Sequence, residues 1–216
     1  MMTEAQLLEA IHEGIHTANK NIDDWSGGYN FLTDAAAEGF MVTHIAQAIK
    51  IHNNPPPFLL LEPLVKNLKE VAGRPFPGRP SAVLRRLARV DLAVLNRDRQ
   101  LKYVIEAKCS AWSDAYTRDL RRLIKMLKGF NKSHQATAMQ AGIFAMFVHS
   151  YDKRGAESAK QNLENKLNEW ENNIKNATMN EGKVYFSRSH LPCHSWSDGK
   201  RDGEVHLSTS LCAVIK

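Results

Sequence analysis

Three residues stand at positions from which they can do chemistry together: Asp91, Glu106 and Lys108. Asp91 lies in RVDLAVL, and Glu106 and Lys108 lie in YVIEAKC. Both runs are rich in Val, Ile, Leu or Tyr and read as strands over residues 89–95 and 101–108, joined by the polar NRDRQ. If the turn centres between Asp98 and Arg99, the hairpin sets Asp91 directly across from Glu106, with Cβ atoms about 5 Å apart. Lys108 follows Glu106 by two residues and shares its face. The other face carries Val90, Leu92, Val94, Tyr103, Ile105 and Ala107, a continuous apolar surface. Adjacent carboxylates repel unless something positive sits between them. Mg²⁺ does this with hard oxygen ligands and keeps waters for a phosphate and a nucleophile. A lysine beside it can orient or help deprotonate an attacking water and stabilise charge developing on the phosphate. The plainer alternative is an ion-pair cluster on an exposed sheet face, since E-x-K on a strand is common.

Other elements must position these groups. A helix is predicted over 3–19, with Leu7, Leu8, Ile11 and Ile15 on one side, then the turn-rich DDWSGGYN. A second helix is predicted over 33–51, capped by Thr33 and stopped by Asn53-Asn54-Pro55-Pro56-Pro57. Within it Ala35, Glu38, Val42, Ile45 and Ile49 recur at helical spacing, which places Glu38 in the buried stripe. A carboxylate there is costly unless paired or bound to metal. Residues 58–62 read as a short strand, or the stretch through Leu61, Leu64, Val65, Leu68 and Val71 as a helix; the pattern leaves both open. After the hairpin come a basic amphipathic helix over 114–129, a strand over 140–149 apolar enough to be buried on both faces, and a helix over 155–179 with Leu163, Leu167, Trp170 and Ile174 inward. Strands over 183–186 and 204–215 close the chain. The order predicts an α/β fold, a mixed central sheet flanked by helices. It forms a single domain over 1–216 with its core at about 33–149, and 150–216 as a C-terminal helix and strands appended to it.

RVDLAVL, a polar turn and YVIEAKCSAW resemble the core of the PD-(D/E)xK nuclease superfamily, the restriction-endonuclease-like fold. The resemblance covers residues 33–149 in element order and is strong only over 89–112. Val90 stands where the motif's proline would be, a departure many members share. It implies that Asp91 is the aspartate of the second core strand and Glu106-Ala107-Lys108 the (D/E)xK of the third. Both acids and the Ala107 carbonyl would then contact Mg²⁺, or Mn²⁺ in its place. Glu38 becomes a further metal or water ligand, with Glu62 its rival. The basic helix falls beside the active site, where Arg118, Arg121, Arg122, Lys125 and Lys128 would meet phosphates. The implied activity is an endodeoxyribonuclease, with DNA ahead of RNA as substrate, in restriction, repair or defence. A homodimer is open, because double-strand cutters of this fold often pair. The alternative is a non-catalytic nucleic-acid-binding or assembly subunit that kept the fold.

Composition agrees in direction. The 216 residues carry a formal charge of +6 and a sequence pI of about 9.2, which suits a polyanionic partner. Arg74, Arg79, Arg85, Arg86 and Arg89 fall in a stretch without an acid, and residues 118–132 hold six cations against Asp119. The three cysteines, Cys109, Cys193 and Cys212, form no CxxC pair, which fits a reducing, cytoplasmic setting. No apolar run is long enough for a membrane span, and the N-terminus does not read as a signal peptide. His190, Cys193, His194 and Cys212 do not follow a standard zinc spacing. No phosphate-cradling G-x-x-x-x-G-K-[ST] loop is present, which argues against ATP use.

Overall fold

The computed structural model describes residues 2–27, 31–33, 37–71, 88–109, 114–131, 139–179, 181–192, 194–195 and 204–216. The 73–80 loop and Arg74, Arg79, Arg85 and Arg86 lie outside them, as do Ala35, Trp112, Lys132 and Cys193.

The chain opens with α1 (Glu4–Trp25), whose start is fixed by a capping box between Thr3 and Gln6. It runs six residues beyond the predicted end. α2 (Glu38–Ile51) begins five residues later than predicted, and its N-cap is Ala37, with no side-chain cap in place of the expected Thr33. The open reading of 58–71 resolves as both elements in turn, β1 (Phe58–Leu61) and α3 (Val65–Val71). The hairpin follows as β2 (Leu92–Leu95) and β3 (Leu101–Lys108), then α4 (Asp114–Asn131), β4 (Ala141–Asp152) and α5 (Ala156–Thr178). The chain ends with β5 (Val184–His190), β6 (His194–Ser195) and β7 (Val205–Ile215).

The strands form a mixed sheet in the order β1-β2-β3-β4-β7-β5, with β6 pairing to β7. β3 and β4 are parallel and the other pairs antiparallel. The C-terminal segment is therefore not appended to a finished core. β7 is hydrogen-bonded between β4 and β5 and pairs along β4 from Gly142↔Ile215 to Asp152↔Val205.

Helices cover both faces. On one, Val104, Phe144, Met146 and Val148 pack with Leu120, Leu123 and Leu127 of α4 and Leu163, Leu167, Trp170 and Ile174 of α5. On the other, Leu92, Val94, Tyr103, Ile105, Ala107 and Phe147 pack with Leu7, Ile11, Ile15, Ile45 and Ile49 of α1 and α2. Each such fully buried aliphatic side chain contributes about 1.5–3 kcal/mol. The two helices of the second face cross so closely at Gly14 that a Cβ there would collide with the Ile45 backbone. The expected apolar face of the hairpin forms with one exception. Val90 turns to the α4 side, because a bend at Asp91 breaks the two-residue alternation. No helix among the described residues is long and apolar enough to cross a membrane.

Candidate active site

The β2–β3 register pairs Leu92 with Ile105 and Ala93 with Val104. Continued by one step, it sets Asp91 level with Glu106, as the turn reading predicts. Asp91 itself lies just before β2 and is held twice. Its backbone carbonyl accepts the Glu62 N–H at 2.9 Å. Its carboxylate Oδ2 accepts the Ala107 N–H at 2.7 Å, which ties the acid to the E-A-K segment.

Glu106 and Lys108 do not stand on an open sheet face. Glu106 is fully buried and Lys108 nearly so, because α4 covers that side. The Lys108 Nζ lies 3.0 Å from Glu38 Oε2 and 3.3 Å from Asp119 Oδ2. The Arg122 guanidinium reaches Glu106 Oε1 through Nε at 2.8 Å and Nη2 at 2.6 Å, and Nη2 also lies 2.8 Å from Asp119 Oδ1. A continuous chain of ion pairs results, Glu38–Lys108–Asp119–Arg122–Glu106, with Asp91 beside it.

Four carboxyl groups thus face two cations. With every acid ionised, the cluster carries an excess of two negative charges, the charge of one divalent ion. The energetics reflect the excess. Burial, opposed by Arg122 and reinforced by Asp91 and Asp119, raises the Glu106 pKa well above the ordinary carboxylate value. Lys108 is pulled down by burial, but Asp91, Glu38 and Asp119 outweigh that and hold its pKa above the ordinary lysine value. Lys108 therefore keeps its proton at neutral pH and is a fixed positive charge rather than a base. The remaining oxygen of Glu106, Oε2, is sealed from solvent and has no hydrogen-bond partner. A buried polar atom without a partner costs about 1–3 kcal/mol.

The predicted residues fare unequally. Asp91, Glu106, Ala107 and Lys108 come together as expected. Glu38 joins through Lys108, but from the first turn of α2, with its side chain 37% exposed, and not from the buried stripe. Its place at the helix N-terminus favours a negative charge. Glu62 touches Asp91 through its backbone while the residue itself is exposed. Arg122 is corrected: it does not face phosphates but turns inward onto Glu106 and Asp119, with 13% of its side chain exposed. Arg118 and Arg121 are exposed, Lys125 is half-buried, and Lys128 pairs with Glu181 at 3.0 Å. Asp119 went unrecognised. Its signal was present, since Tyr116, Asp119, Leu123 and Met126 lie three, four and three apart on the covered stripe of α4.

The donors suit a hard cation in kind, being carboxylates from three separate elements, one of them with an unsatisfied buried oxygen. As packed, no three acidic, histidine or cysteine side chains among the described residues converge tightly enough to hold a metal ion. Arg122 takes part of that space. The zinc alternative gains nothing: Cys212 is fully buried in the α1–α2 core, and His190 Nδ1 lies 2.7 Å from Thr209 Oγ1. A cleft of about 490 Å³ lined by His52, Asn96, Lys102 and Gln140 opens at the opposite end of the sheet and includes none of the cluster.

Comparison with known proteins adds no relative: no family model matches this chain, and neither the curated proteins nor the solved structures contain a match.

Proposed function

We propose that the chain is a divalent-metal-dependent nuclease that hydrolyses phosphodiester bonds in DNA, an endonuclease of the restriction-endonuclease-like kind. One observation carries the reading. The end of the β2–β3 hairpin gathers Asp91, Glu106 and Lys108 in a cluster with two more acids than bases, and a buried Glu106 oxygen is left without a partner. Asp91 and Glu106 would hold Mg²⁺ or Mn²⁺, with Glu38 and the Ala107 carbonyl in support. Bound there, the ion would supply Lewis-acid activation of a water and of the scissile phosphate. Lys108, permanently charged, orients the water and stabilises negative charge on the phosphoryl oxygens. Asp119 holds Lys108 in place from α4. Arg118, Arg121 and Lys125 present cations toward the flanking backbone.

The test is nicking of supercoiled plasmid and cleavage of single-stranded DNA with Mg²⁺ or Mn²⁺, against EDTA. Cleavage is expected only with metal and is lost in Asp91→Ala and in Lys108→Ala. Cleavage indifferent to both substitutions removes the proposal. A second reading, a nucleic-acid-binding subunit without catalysis, is favoured by Arg122, which already pairs with Glu106 and Asp119 from within. Under that reading the purified chain binds DNA, cuts none, and takes up no Mn²⁺.

A further inference from the structure

The proline-rich segment after α2 and the turn of the β2–β3 hairpin enclose the cleft of about 490 Å³ at the end of the sheet away from the carboxylates. Sites that hold small molecules usually measure about 300–1,000 Å³. Val94, Leu95 and Pro57 give the cleft an apolar lining. Both walls are set before any ligand arrives. Asn96 Oδ1 accepts the Gln100 N–H at 2.8 Å, and the Asn96 N–H donates to the Gln100 carbonyl at 2.9 Å, which fixes the turn that carries Arg97. On the opposite wall Asn53 donates through Nδ2 to the Ile49 carbonyl at 2.7 Å, which leaves its Oδ1 to accept.

The polar groups change in kind from the inside out. At depth, Tyr103 is only 4% exposed, and its hydroxyl has no hydrogen-bond partner among the described residues. Asn53 is 9% exposed, with Oδ1 likewise unclaimed. A phenolic hydroxyl both donates and accepts, whereas an amide oxygen only accepts. Polar groups so far withdrawn from water are costly unless a ligand or a water completes them. At the mouth, Arg97 is exposed and pairs with no acid among the described residues, and Lys102 adds a second cation against Asp98.

We infer that this cleft binds a nucleoside monophosphate, with its base inward against Tyr103 and Asn53 and its phosphate at Arg97 and Lys102. The planar guanidinium fork matches a phosphate. A base edge carries the N–H donors and ring acceptors that Asn53 and Tyr103 lack, and its flat body suits an apolar lining. An inorganic anion alone would leave the inner groups unmet, and a hydrocarbon chain would bury them without partners. Walls fixed in advance keep the ordering cost of binding low. The cleft contains neither Asp91 nor Glu106, so the inference needs neither the metal nor the hydrolytic reading.

The experiment is isothermal titration calorimetry in EDTA with AMP, GMP, CMP and UMP, with the four matching nucleosides, and with inorganic phosphate. At least one monophosphate is expected to bind about 10-fold or more tighter than its nucleoside and than phosphate. Tyr103→Phe removes only the hydroxyl and should weaken that nucleotide about 2- to 12-fold. Arg97→Ala should weaken it about 10-fold, to the level of the nucleoside. Asp91→Ala and Arg118→Ala should bind it as the parent does. Monophosphates that bind no tighter than inorganic phosphate overturn the inference, as does parental affinity in either Tyr103→Phe or Arg97→Ala. A loss in Asp91→Ala or Arg118→Ala equal to that in Arg97→Ala overturns it too, because the nucleotide then sits at the carboxylates or on α4. Plasmid nicking by the parent judges the hydrolytic reading alone: a chain that cuts nothing yet holds the nucleotide through Tyr103 and Arg97 keeps the cleft as a binding site.

Discussion

The sheet buries a polar cluster against each of its faces, one beneath α4 and one beneath α1, on opposite electrostatic terms. Under α4, Glu106, Asp119, Lys108 and Arg122 are ionisable groups largely withdrawn from water, with acids in excess and one oxygen unmatched. Under α1, His12 and His16 meet Ser187, Ser189 and Ser210. There every ring nitrogen that is engaged finds a neutral partner. His16 Nε2 faces the Ser189 carbonyl at 3.2 Å, so it carries the hydrogen and also points it toward Ser210 Oγ at 3.1 Å. Ser210 can then donate to His12 Nδ1 at 2.5 Å, and His12 Nε2–H to Ser187 Oγ at 2.9 Å. A directed, neutral, satisfied chain of this kind fixes α1 on β5 and β7. A charged and incompletely satisfied one under α4 is costly to keep unless something else completes it. The contrast separates a site from a scaffold more sharply than burial, which the two share.

The largest effect that would break this contrast is on activity. Glu106→Gln, measured by plasmid nicking with Mg²⁺, should lower the rate by about 100-fold or more, while thermal unfolding shows a protein no less stable than the parent. The amide keeps the shape and removes a charge that burial disfavours. His12→Ala should do the reverse, lowering stability by about 1–3 kcal/mol while leaving the rate per folded molecule alone. A Glu106→Gln protein that unfolds early yet cuts at the parent's rate would make the α4 cluster scaffold as well.

Arg122 sharpens the comparison next. Removing one partner of a buried ion pair strands the other, so Arg122→Ala should cost about 3–5 kcal/mol in metal-free urea unfolding. Mn²⁺ should restore part of that loss, because a divalent ion can take over the charge balance of Glu106 and Asp119. No corresponding metal effect is expected for His12→Ala. Equal unfolding midpoints with and without Mn²⁺ in Arg122→Ala would mark the cluster as a closed ion-pair network.

How much of this was legible beforehand differs from element to element. The Asp91–Glu106 register was, since a two-residue alternation and a polar turn leave the hairpin few alternatives. The place of β7 was not. Its pairing with β4 joins residues some 60 apart in the chain, and local patterning carries no information on which distant strands become neighbours. Val90 misled because alternation presumes a straight strand, and Glu62's hold on the Asp91 carbonyl goes with a bend there. Arg122 was expected among the phosphate-facing cations and Asp119 was passed over, because charge was counted along the sequence. On the helix surface Asp119 belongs to the Tyr116–Leu123 stripe, and Arg122, one turn on, follows it inward. The mixed sheet with helices on both sides was expected from the order of elements; the restriction-endonuclease-like reading is a proposal that rests on the short motif alone.

The pH dependence sets the two clusters against each other. Burial first, then the neighbouring His16, lowers the His12 pKa from 6.5 to about 4. The unfolded chain therefore takes up a proton that the folded one refuses. The stability involved is fully present above pH 6.5, falls as pH drops from 6.5 to 4, and amounts to on the order of 3 kcal/mol at the end. Glu106 has the opposite sign. Its raised pKa means the folded state holds a proton the unfolded state has lost, so its contribution is present below about pH 4.5 and is lost as pH rises through the folded value. Between these limits the clusters partly cancel. Urea unfolding from pH 4 to 8 should show a steeper acid-side loss in Glu106→Gln than in the parent and a shallower one in His12→Gln. Parallel curves for all three would remove the electrostatic distinction.

The smallest expected effect lies on the outer face of α4. Arg118→Ala and Arg121→Ala each remove an exposed cation, and each should reduce the slope of log affinity for DNA against log salt by roughly one unit if it meets a phosphate. Lys128→Ala should change it less, because Lys128 is already engaged by Glu181. Arg122→Ala should leave the slope unchanged, since its charge is spent inside the cluster. That last value decides the matter. A slope lowered as much by Arg122→Ala as by Arg121→Ala would mean that the guanidinium leaves Glu106 when DNA arrives, and that the inner cluster and the outer basic face act as one surface.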